Sequence, residues 1–171
     1  MREVQERGTV AAVAAGEATS RRDRSTFVGV ATAVVLADQA TKHWALAALA
    51  DGPVDLIGSW RLNLTFNDGS AFGLGAGRAG LVAAVAVLVS VAVVWAGWRA
   101  ADRGWAAAFG VVLGGAVGNL VDRALRDGDG FMGGRVVDFV DLRWWPIFNV
   151  ADVAICVGAA ALVLLSWRAE R

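Results

Sequence analysis

Cysteine, proline, histidine and lysine are nearly missing from this 171-residue chain, and tyrosine is missing altogether. The one cysteine, Cys156, lies in an apolar run, which excludes a disulfide framework and a thiolate metal cluster. The one histidine, His43, has no serine or cysteine in a recognisable setting, and no His-Glu-x-x-His occurs. A Ser-His-Asp triad and a zinc hydrolase are therefore both poorly supplied. Of the 16 basic residues only Lys42 is a lysine, so a Ser/Lys dyad would have to join it to a residue such as Ser70. No Gly-Lys-Ser/Thr follows the glycines, so there is no phosphate loop. The formal net charge is zero, and no basic field points to nucleic acid. Neither a metal nor a cofactor is expected.

What the chain has in excess is apolar surface. Its composition is 57% hydrophobic, above the roughly 45–50% of a soluble globular chain, and its mean hydropathy is +0.53. So small a body has an unfavourable surface-to-volume ratio and cannot bury that excess in water. Lipid is the implied solvent. Four stretches meet the ~20 residues needed to cross a bilayer: 26–49, 79–98, 104–121 and 147–167. The length suits one domain, with a disordered cytoplasmic tail over 1–25 and a single four-helix domain over 26–168. The polar start and the lack of a small-residue cleavage site argue against a cleaved signal peptide.

The arginines set the orientation. Arg2, Arg7, Arg21, Arg22, Arg24, Arg99, Arg103, Arg168 and Arg171 fall on one side, which the positive-inside rule makes cytoplasmic together with both termini. Trp95, Trp98, Trp105 and Trp167 mark that interface, and Trp44, Trp60, Trp144 and Trp145 the opposite one. In the first outer loop Val54, Leu56, Trp60, Leu62, Leu64 and Phe66 alternate with polar residues. That spacing predicts strands with a turn near Gly58-Ser59, forming a small sheet on the outer face. The second outer loop, 122–146, holds a glycine-rich piece at 127–134 that reads as flexible.

Polar residues gather near the outer helix ends: Asn67, Asn119, Asp122, Arg123, Asp138, Asn149 and Asp152. Ionisable groups inside or beside a span are expensive and are functional candidates for that reason. Each has a structural alternative. Asn149 and Asp152 would suit the start of a helix as caps, and Asp122 and Arg123 would make an interfacial ion pair. Gly110, Gly114 and Gly118 form a stripe of small residues suited to helix packing. Asp38 and Lys42, four apart on one helical face, can neutralise each other; Asp38 lies roughly 18 Å along the first span at 1.5 Å per residue. With other chemistries undersupplied, two carboxylates sharing a proton are the best-equipped means of amide hydrolysis. One acts as base toward water and the other as acid, with asparagine and arginine available to the substrate backbone and oxyanion.

The succession Asp38-Gln-x-x-Lys42, Asn67-x-Gly-x-Ala-Phe72, Gly114-Gly-x-x-Gly-Asn-x-x-Asp-Arg123, Val137-Asp-Phe139 and Phe148-Asn-x-Ala-Asp152 resembles the bacterial lipoprotein signal peptidases. The resemblance implies a membrane α-helical fold of four transmembrane helices, with a small extracytoplasmic β-sheet and a surface loop or helix. It also implies an aspartic endopeptidase of the inner membrane that removes signal peptides from lipid-modified prolipoproteins, just before the lipidated cysteine. On its motifs Asp138 and Asp152 would be the catalytic pair. Asn67, Asn119, Arg123 and Asn149 would orient substrate or support the pair, and Asp38, Lys42 and Asp122 would be polar supports. The expected partners are prolipoprotein substrates and membrane lipids, with the protein a monomer. The stretch between Arg123 and Asp138 is longer and richer in glycine than the family pattern. The rival readings are a small proton-coupled transporter, which would favour midplane charge on broken helices, and a noncatalytic scaffold.

Overall fold

A computed structural model describes residues 2–69, 79–128 and 132–171, with side chains from residue 21 onward. Four helices, α1 (Arg2–Ala48), α2 (Ala79–Gly97), α3 (Arg103–Leu125) and α4 (Val150–Ala169), alternate with strands β1 (Val54–Asp55), β2 (Arg61–Asn67) and β3 (Val136–Asp141). Three of the helices, α2, α3 and α4, are long and apolar enough to cross a membrane. Their exposed valines, leucines and tryptophans are the surface expected where the solvent is hydrocarbon. In α1 the apolar stretch is interrupted by Asp38, Gln39, Lys42 and His43. This helix also takes in most of the stretch expected as a disordered tail, 1–25, which contains no proline and is rich in alanine, glutamate and arginine.

α3 is the central helix and packs against α1, α2 and α4. Its glycines let it do so. A Cβ on Gly110 or Gly114 would lie 2.7 Å from a backbone oxygen of α1, that of Phe27 or Ala31. On Gly118 it would lie 2.6 Å from Asp38 Oδ2. The expected packing stripe is thus the seam with α1, where close backbone approach replaces a hydrophobic driving force. Asp102 starts α3 by accepting from Gly104 N at 2.7 Å and Trp105 N at 3.1 Å.

At one end of the helices the three strands form an antiparallel sheet in the order β1-β2-β3. The expected turn is present: Gly58 has φ +60°, and Leu56 N donates to Trp60 O at 2.9 Å. The sheet closes over α1 through a small core of Ala45, Leu49, Val137 and Phe139, with Leu62 and Leu64 packed beside it. Asp141 pins the sheet's far corner. It accepts from Arg143 N at 2.7 Å, Arg61 Nε at 2.6 Å and Asn63 Nδ2 at 3.2 Å. Those contacts, led by the Arg143 backbone, hold its carboxyl below the usual range.

The third strand differs from the sequence expectation, in which 122–146 reads as a loop. Val136-Val-Asp-Phe-Val-Asp141 is buried on both faces, so it shows a continuous β-rich run rather than alternation. Within the glycine-rich piece Gly128 bridges Gly134; the expected flexibility of 129–131 falls outside the described residues, as does Ser70.

Candidate active site

Asp138 sits in the middle of β3 and is 2% exposed. Leu62 pairs with Val140, yet Thr65 pairs with Asp138 and Asn67 with Val136, so β2 carries one extra residue between Leu62 and Thr65. Without that bulge a register set at Leu62 would put Phe66 opposite Val136. With it, Asn67 joins the face of Asp138 and donates from Nδ2 to Oδ2 at 3.0 Å. Asn149 Nδ2 donates to the other oxygen, Oδ1, at 2.6 Å. Burial pushes the Asp138 carboxyl up to about 6; the Asn67 hydrogen bond pulls it down and the charge of Asp152 adds to the rise.

Asp152 lies in the first turn of α4. Asn149 is the N-cap: its side chain accepts from Asp152 N at 3.0 Å, and Asp152 Oδ2 accepts from Asn149 N at 3.1 Å. This is a capping box. The structural alternative for these two residues is therefore correct, and the cap is also what aims the carboxylate. Asp152 Oδ1 accepts from Asn119 Nδ2 at 2.8 Å. Asn149 thus joins the two carboxylates, one through its side-chain amide and the other through its backbone.

The three asparagine amides follow one rule. Each oxygen is held by a fixed donor, so each Nδ2 is turned toward a carboxylate. Gly69 N holds Asn67 Oδ1 at 2.8 Å, and Asp152 N holds Asn149 Oδ1. Lys42 Nζ holds Asn119 Oδ1 at 3.0 Å, joined there by Asn149 Nδ2 at 3.1 Å.

Lys42, Asp38 and Asp122 are essentially inaccessible. Lys42 Nζ lies 2.8 Å from Asp38 Oδ2 and 3.0 Å from Asp122 Oδ2, and Asp122 Oδ1 pairs with Arg126 Nε at 2.8 Å. Two negative and two positive charges therefore balance, as buried ions require. Asp38 Oδ1 also accepts from Ala151 N at 2.9 Å, fixing the start of α4, and Asp122 Oδ2 accepts from Val137 N at 3.0 Å, fixing β3. The expected Asp38–Lys42 pair is present. The alternative pairing of Asp122 with Arg123 is not, because adjacent helical residues point about 100° apart while Arg126, four along, shares a face. That spacing is the signal for Arg126, which is absent from the sequence candidates; Gln39, donating to Asp38 and Asp122, is the other omission.

Arg123 is 8% exposed, and its Nη1 is buried without a hydrogen-bond partner among the described residues. Its charge lies near Asp138 and Asp152. Asn67, Asn119, Arg123, Asp138, Asn149 and Asp152 are thus gathered from β2, α3, β3 and α4. Among the described residues no cluster of histidine, cysteine, aspartate and glutamate could hold a metal.

A family model described as signal peptidase (SPase) II matches residues 30–168. The chain belongs to the signal peptidase II family. A lipoprotein signal peptidase of Rhodococcus jostii is 46% identical over 150 residues, covering 86% of this chain and 75% of that protein. One of Mycolicibacterium smegmatis is 40% identical over 153 residues, covering 87% of this chain and 64% of its own length. The chain spans slightly less than two thirds of that relative. A solved bacterial membrane enzyme superposes with a TM-score of 0.70 at 25% identity, over 84% of this chain and 88% of the other. Membership of the signal peptidase II family leaves the transporter reading without support.

Proposed function

We propose that the protein is an aspartic endopeptidase that removes signal peptides from lipid-modified prolipoproteins, cutting just before the lipidated cysteine. The observation that carries this reading is the coupling of two carboxylates through one residue, Asn149, inside a shell of amide donors. In the reacting form the pair's one proton is on Asp138, whose carboxyl burial pushes up to about 6. Asp152, which accepts from Asn119 and the Asn149 backbone, takes the proton of the attacking water. The partnerless Nη1 of Arg123 is the donor for the oxygen of the attacked carbonyl. Asp138 then gives its proton to the departing nitrogen.

The reading extends to placement. A single peptidase domain over 26–168 crosses the bacterial inner membrane four times as a monomer, with α1 the fourth span beside the three apolar helices. Both termini are cytoplasmic, and the carboxylates lie at the outer face, where a lipid-anchored substrate presents its cleavage site. Purified protein incubated in detergent with a lipidated prolipoprotein should yield a mature fragment beginning at the modified cysteine, identified by mass. An intact substrate after incubation with folded protein would overturn the proposal.

A further inference from the structure

Two of the three site asparagines have their oxygens held by backbone N–H groups, Gly69 for Asn67 and Asp152 for Asn149. No substitution other than proline removes such a donor. Asn119 differs: its oxygen is held by a charged side chain from another helix, Lys42 of α1. We propose that Lys42 is a positioning residue for the reaction, fixing the amide of Asn119 so that Nδ2 faces Asp152 and thereby keeping Asp152 as the proton-accepting member of the pair.

The reason lies in donor and acceptor polarity. Asn119 has one oxygen and one NH2, and Asp152 Oδ1 lies 2.8 Å from the NH2. Turned over, the amide would set its oxygen against the carboxylate, an arrangement satisfied only if the carboxyl carries a proton. Such a flip would exchange base for acid. Asn149 Nδ2 opposes it with a neutral donor that is shared with Asp138, whereas Lys42 opposes it with a buried ammonium. A charge-assisted bond is roughly twice as strong as a neutral one. Lys42 itself has no freedom to turn away, because Asp38 and Asp122 hold it from two further directions. The other charged groups around the pair are Arg123 and Asp122 on α3 and Asp138 on β3.

This inference rests on the proposed peptidase activity, and cleavage by the unaltered protein in the same assay separates a failure of one from a failure of the other. Lys42→Met alone would strand two buried carboxylates, so the comparison is between two charge-balanced variants. In Asp38→Asn/Lys42→Met the oxygen facing Ala151 N is kept, Asp122 keeps Arg126, and Asn119 loses its charged donor and keeps only the shared amide of Asn149. In Asp38→Asn/Lys42→Gln the glutamine amide can donate to Asn119 in the lysine's place. The methionine variant should lose about 100-fold in kcat, the usual cost of a misdirected donor at a reacting centre, with KM little changed. The glutamine variant should recover most of the rate. Equal kcat in the two would overturn the inference. If the methionine variant does not fold, Asn119→Asp decides: it keeps the oxygen facing Lys42 and puts oxygen where Nδ2 faced Asp152. It should show the same loss, and a folded Asn119→Asp chain with unaltered kcat overturns the proposal.

Discussion

A carboxylate that is useful to a reaction is costly to the fold, and Asp138 shows both sides. It binds its proton more tightly folded than unfolded, so its burial costs nothing below the ordinary value of 3.8, and the cost grows as pH rises through about 6. Asp138→Asn removes the charge. It is expected to raise stability by about 1–3 kcal/mol at pH 7–8, with the gain vanishing below about pH 4, as thermal unfolding in detergent would record. The same variant should have no measurable turnover, since an amide cannot hold and release the proton. Asp152→Asn leaves the N-cap Asn149 in place and keeps an oxygen for one of its own two donors, so it too should fold and bind substrate without cleaving it. Combining the two should cost little more than either alone, because residues acting as one unit do not contribute separately. Substantial turnover by either single variant in folded protein would remove that residue from the mechanism.

At the scale of elements, alternation in 54–66 revealed strands but not which of their side chains the fold buries. Val54, Leu56, Trp60 and Phe66 are exposed, and only Leu62 and Leu64 of that set pack onto the core. For Phe66 the bulge between Leu62 and Thr65 is the reason, since a single extra residue reverses every later side chain; Val54, Leu56 and Trp60 lie ahead of it, in the edge strand β1 and the turn after it. Nothing in the residues themselves announces it, so the motifs could suggest that Asn67 meets Asp138 while the alternation pattern could not. The helices were more legible because apolar length depends on no register. The stripe Gly110, Gly114 and Gly118 was legible as packing, although its last member does a second job by making room for a buried carboxylate. Gly118→Ala should therefore drive a methyl into Asp38 and disturb the start of α4 through Ala151. A destabilisation of about 1–3 kcal/mol is expected from overpacking of this kind, seen as a lower unfolding midpoint. Gly29, with open space around its Cβ position, is the control: Gly29→Ala should be neutral or slightly stabilising.

For the whole molecule the question is which way it lies in the membrane, and here the geometry adds to the arginine count. Arg24 of α1 stacks over Trp98 just beyond the end of α2, at 5.3 Å, which brings the early part of the first helix to the link between α2 and α3. Arg99 over Trp95 at 4.5 Å and Arg171 over Trp167 at 4.4 Å repeat the pairing at the ends of α2 and α4. An arginine on a tryptophan face suits a membrane interface, where the ring sits at headgroup level and the cation reaches water. The opposite end is built differently. There Trp44, Trp60, Trp144 and Trp145 are exposed around the sheet, and Arg61 and Arg143 are taken up by Asp141 and Asp55 rather than left to anionic lipid. Arg135 apart, the free basic charge among the described residues is thus concentrated at the end bearing the link between α2 and α3, which should be the cytoplasmic one. In a Cys156→Ala background, Arg103→Cys should resist a membrane-impermeant thiol reagent applied to intact spheroplasts and react once they are opened. Ser59→Cys, in the turn between β1 and β2, should react from outside. Labelling of Arg103→Cys in intact spheroplasts would invert the topology and put the carboxylates on the cytoplasmic side, where a lipidated secretory precursor could not reach them.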